Sequence, residues 1–164
     1  MSILSVCEWL QQTSFSTGIR ESVWVFPIIE TTHLLSLAAS VGTIAFVDLR
    51  LIGATMRRQP VTDVIEQLQP WALGGFAMMF LTGGLLFVSE PLKCYHSGFF
   101  SAKLVLLALL GLNALLFHAS VYQRVAAWNK AVDVPLPAKL AGYVSLTLWM
   151  SVIVLGRGIA YFSH

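Results

Sequence analysis

Four long apolar runs divide the chain, over roughly residues 23–48, 71–89, 99–121 and 141–162. Each is near or above the ~20 apolar residues with which a helix crosses a hydrocarbon core. Inside that core every backbone N–H and C=O must find its partner within the segment, so the runs predict helices. Only "SEPLKCYHSG" separates the second run from the third, and Pro91 and Gly98 mark a tight turn there. The other two connections, "RLIGATMRRQPVTDVIEQLQP" and "YQRVAAWNKAVDVPLPAKL", are longer. Ahead of the first run, Ile3, Val6, Cys7 and Leu10 recur at helical spacing with Trp9 beside them, which predicts a short interfacial helix over about 3–18. That N-terminal stretch has no positive n-region and no small-residue cleavage site, so it does not read as a signal peptide. Gly74, Gly75, Gly83, Gly84, Gly111 and Gly142 fall where helices would approach closely. The predicted fold is all-α: one domain over 1–164, a four-helix transmembrane bundle of sequential antiparallel spans.

Composition supports the membrane reading. Of the 164 residues 57% are hydrophobic and 11% charged, and the mean hydropathy is +0.76. A soluble domain carries about 25% charged residues, so this chain lacks the groups to cover a water-facing surface. The same apolar excess excludes disorder. A net charge of +2 without a basic cluster excludes nucleic acid as a partner and leaves the lipid bilayer. The two longer connections hold Arg50, Arg57, Arg58, Arg124, Lys130 and Lys139, whereas the opposite side holds Arg20 and Lys93. By the positive-inside rule both termini lie outside, which is the periplasm if the membrane is a bacterial inner membrane.

The polar residues within the spans are the candidate chemistry. In "ETTHLLSLAAS" the face holding His33, Ser36, Ser40 and Thr43 carries Glu30 at its edge, and such a stripe should face other helices. Glu30, Lys103 and Arg157 fall in the outer half of three different helices. An unpaired ion in hydrocarbon costs at least ~2.5–3.5 kcal/mol, so Glu30 is expected to find a cationic partner among them. One reading is an ion-pair network that fixes helix register. The other is b-type haem, with His33 on the iron and Lys103 and Arg157 neutralising the propionates. His118, in "NALLFHAS", is a candidate second ligand, though helical rise sets it on the order of 10 Å from the height of His33. Met79 and Met150, with Met78, lie nearer that height, which also admits a His/Met haem or a Cu(I) site of His33, Met79 and Met150. Methionines in apolar helices are more often core filler. His118 also reads as a hydrogen-bonded interior histidine, Asn113 as an interhelical hydrogen-bonding residue, and Asp48 and Arg50 as interfacial charges.

Outside the spans lie Cys7, Cys94, His96 and His164. An oxidising compartment would permit a Cys7–Cys94 disulfide, and the C-x-H of "KCYHSG" offers two metal ligands, but neither pattern has the density of an established framework or site.

The pieces "WVFPIIETTHLL", "VDLRLIG", "QPWALGGFAMMFLTGGLLF", "GLNALLFH" and "SLTLWMSVIVLGRGIAY" cover nearly the whole chain in order. In them the sequence resembles a family of small bacterial four-span membrane proteins of unknown function, itself loosely similar to the membrane domain of copper-resistance D proteins. The resemblance implies a bacterial inner membrane and supplies no catalytic residues. No nucleophile elbow, Walker sequence, HExxH or dinucleotide turn is present, so a stand-alone enzyme is not expected. The expected function is binding of haem b or copper for electron transfer or metal handling. The alternative is a structural or accessory subunit, as a homo-oligomer or beside a larger membrane redox complex.

Overall fold

The computed structural model describes residues 2–131 and 134–162, with side chains through Gly158. His164, noted above outside the spans, lies outside the described residues. Seven α-helices follow one another, and no strand occurs among the described residues. Where one interfacial helix is predicted the chain makes two, α1 (Ile3–Gln11) and α2 (Ser14–Arg20). The break falls at Thr13, whose hydroxyl accepts from the Ser16 N–H and so starts a new helix. α2 is tied to the second span: the Ser16 hydroxyl and Arg20 Nη1 both donate to the Ser89 carbonyl, at 3.3 and 3.1 Å.

Four helices are long and apolar enough to cross a membrane. α3 (Val25–Ile52) stops at Gly53, whose φ of +83° needs no Cβ and turns the last carbonyls back on the chain. α4 (Val61–Ser89) starts at Val61, well before the predicted residue 71. Its first turns are amphipathic rather than apolar: Val61, Val64 and Ile65 are buried while Asp63 and Glu66 face out. Pro70, which removes one backbone bond, is tolerated within it. After the short α5 (Pro91–His96), α6 (Gly98–Leu116) continues through a π turn (Phe117–Val121) and a 3-10 turn (Tyr122–Ala127). α7 (Leu136–Phe162) completes the bundle.

α3 is the central helix, packing on α4 and on α7, and α6 packs on α7. Small residues make both α3 seams close. A Cβ at Gly75 would overlap Ser40 Oγ, and one at Gly142 would stand 3.0 Å from the Asp48 carbonyl oxygen. α4 and α6 are consecutive spans, yet they share no extensive face. They meet near the termini end of the bundle, where Phe87 and Phe100 stack with centroids 5.7 Å apart. Two apolar cores result. One, around Leu110, Trp149 and Val152, lies mid-bundle; the other, around Leu51, Val61, Ile65, Phe117 and Trp128, closes the loop end.

Candidate functional site

His33 is half-buried on the α3–α4 seam, with Nδ1 2.9 Å from Thr82 Oγ1. The Thr82 hydroxyl spends its proton on the Met78 carbonyl, at 2.7 Å. Nδ1 is therefore the donor, and the lone pair of neutral His33 is on Nε2. The ring lies against Gly83, where a Cβ would come within 3.2 Å of Cε1. Lys103 is half-buried within electrostatic reach of His33, its Nζ 3.8 Å from where a Cβ on Gly156 would be. Arg157 follows on α7, exposed but engaged in an interaction of its own.

The expected cationic partner of Glu30 is not there. Glu30 is exposed in the second turn of α3, and the ion pair among the described residues is Lys93–Glu90, at 3.6 Å. A carboxylate that near a helix end reaches water and headgroups and needs no buried cation. Met79 is buried beside His33, whereas Met150 is 62% exposed on the outer face of α7. Among the described residues no three His, Cys, Asp or Glu side chains gather as a metal would require.

The polar groups converge elsewhere. A cavity of about 470 Å³ opens between α4 and α6 toward the loop end, lined also by α3 and α7. Its walls are mostly apolar, with Phe76, Phe80, Phe117 and Trp149 among them, and its polar lining is Thr43, Asp48, Gln69, Asn113, His118 and Ser145. His33 lines neither this cavity nor the smaller one beside it.

Asp48, near the loop end as its position suggests, is buried among the helices: it is 5% exposed. Ser145 lies beside its carboxyl group, and Oδ2 has no partner. Arg50, also buried, cannot help. Two residues on, it points ~200° around the helix, where Nε donates to the Gln59 carbonyl at 2.9 Å and both terminal nitrogens are unpaired.

His118 is held by an Nδ1–H donated to the Ala114 carbonyl, at 2.9 Å, which leaves its lone pair on Nε2. It lies in the π turn of α6, a local widening that recurs at functional sites. Asn113 donates its amide to the Ala141 carbonyl on α7, at 3.1 Å.

The match to known families spans this whole architecture, covering residues 7–163. The chain belongs to DUF6644, a family of unknown function. No curated protein and no solved structure matches it. In this DUF6644 member the termini end carries a second chemical feature. α1 packs on α5, and Cys7 and Cys94 are free thiols there. Burial, reinforced by the Glu90 carboxylate, pushes the Cys94 thiol up to about 11, with Lys93 and Lys103 pulling the other way. His96 is exposed and stands edge-on to Tyr95.

The one signal in the sequence for the cavity was the run "VDLRLIG", a carboxylate inside the last turns of an apolar helix. Whether such a group reaches water or a neighbouring helix depends on helix rotation, and Gly142 decides it here by letting α7 close over α3.

Proposed function

We propose that this protein binds a lipid-soluble, largely apolar small molecule, which enters the cavity sideways from the bilayer between α4 and α6. The observation that carries the reading is the cavity itself: apolar and aromatic walls with a few polar groups, Asp48 among them. The Lys and Arg bias of the two longer connections supports a bacterial inner membrane with both termini periplasmic.

Gly111 supplies the test. It lines the cavity, and a Cβ there meets nothing within 4 Å, so Gly111→Leu has an unobstructed start from which to occupy the space. Wild type and variant are purified from the same membranes, extracted with organic solvent and compared by mass spectrometry. The expected result is a species enriched over bulk lipid in the wild type and lost from the variant. Equal contents would rule the reading out.

A second reading is favoured by the lone pair on His33 Nε2, since an imidazole whose Nδ1–H is held by its surroundings is oriented for a metal. On it the protein carries haem b, or Cu(I) with Met79, for electron transfer or metal handling. Oxidised and dithionite-reduced spectra, with copper analysis, of wild type and His33→Ala test it. A haem or copper signal lost on substitution supports it. A featureless spectrum without copper removes it, and the structural-subunit alternative predicts both that and no bound small molecule.

A further inference from the structure

We infer that the molecule the cavity takes carries an N–H-bearing ammonium group on an apolar body and pairs that group with the carboxylate of Asp48. The inference rests on the ligand-binding reading above and names the ligand's class.

It follows from which hydrogen-bonding capacity of the lining is spent. Three of the lining's donors are committed: Thr43 Oγ1 donates to the Ala39 and Ser40 carbonyls, both at 2.8 Å, Asn113 Nδ2 to Ala141, and His118 Nδ1 to Ala114. Acceptors are left open: Asp48 Oδ2 has no partner, and the lone pair of His118 is on Nε2. A ligand that brings a donor can satisfy those acceptors.

Charge points the same way. No Lys or Arg is among the lining residues, so an ionised Asp48 is compensated either by a proton or by a cation from outside the chain. The ring faces of Phe76, Phe80, Phe117 and Trp149 add sites on which an organic cation is favourable.

Depth fixes the ligand's shape. Asp48 lies four residues before the end of α3 at Ile52, or ~6 Å of helix, which places it near the loop-end interface. The α4 wall runs from Ile65 to Phe80, ~22 Å at helical rise. A cationic head at Asp48 with an apolar body along that wall matches both. A lipid ethanolamine headgroup and a free lipophilic amine share this chemistry.

The test uses the whole chain in nanodiscs of phosphatidylcholine, whose quaternary headgroup has no N–H. Three probes of one shape are titrated against empty discs: anthracenylmethylammonium, anthracenylmethanol and anthracene carboxylate. The ammonium should bind saturably and about tenfold tighter than the alcohol, the scale of one charge-assisted hydrogen bond. Asp48→Asn should remove that advantage and leave alcohol binding in place. Should Asp48→Asn not fold, the ranking of the three probes on wild type decides alone.

The alcohol or the carboxylate binding as tightly as the ammonium overturns the ammonium inference and leaves the cavity reading intact. No saturable binding of any probe, or unchanged binding in Gly111→Leu, overturns the cavity reading itself. Phosphatidylethanolamine mixed into the discs then separates the sources. Competition with the probe supports the headgroup as the natural ammonium, and its absence supports a free amine.

Discussion

Gly74 and Gly75 are adjacent in sequence and have opposite surroundings. A Cβ at Gly74 meets nothing within 4 Å, whereas one at Gly75 overlaps Ser40 Oγ and stands 3.1 Å from the Ser36 carbonyl oxygen and the Ser40 nitrogen. Backbone atoms cannot rotate away, and the buried Ser40 hydroxyl is held on Ser36 at 2.8 Å. Gly75→Ala should therefore destabilise the bundle by about 1–3 kcal/mol, while Gly74→Ala leaves its melting temperature unchanged. Equal melting of the two variants in one detergent would contradict the tight seam. Cys94 gives a second test at this scale. Its thiol is raised from 9.0 to about 11, so the folded state favours the protonated form, and that contribution to stability is present below pH 9 and lost as pH rises toward 11. Alkylation of Cys94 by iodoacetamide should be slow at pH 8 and rise only between pH 10 and 11. A rate at pH 8 matching that of a free thiol would refute the shift.

Among the elements, α3 and α4 are coupled by the His33–Thr82 hydrogen bond. A double-mutant cycle of His33→Ala and Thr82→Val, read by unfolding in detergent, should return about 0.6 kcal/mol of coupling, the average for such bonds between membrane helices. Strict additivity would mean the bond contributes nothing. The spans themselves were legible, because ~20 apolar residues in a row admit one spanning element. The start of α4 was not: from Val61 to Gln69 the chain is amphipathic, and Pro60 and Pro70 look like the two ends of a loop. Burial of Val61 and Ile65 in the loop-end core makes that stretch helix, a tertiary effect that local pattern does not carry. The site divides in the same way. His33 and its polar stripe on α3 were visible as a pattern. Asp48 and His118 line one cavity only because α4 and α6 stand apart, a property of helix arrangement rather than of any one segment.

At the scale of the molecule, the helices neighbour one another as α4, α3, α7 and α6, so the first and last of that series face each other across the cavity. α4 is fastened at both ends. At the loop end the Val61 N–H donates to the Asn129 carbonyl at 3.1 Å and the Thr62 N–H to the Asn129 side chain at 2.9 Å. At the other end α2 holds the Ser89 carbonyl. Between these joints its support is α3, touched most closely where Gly75 meets Ser40. In mechanical terms α4 is a beam clamped at both ends and seated along α3 at two close bearings, Gly75 on Ser40 and Gly83 on His33.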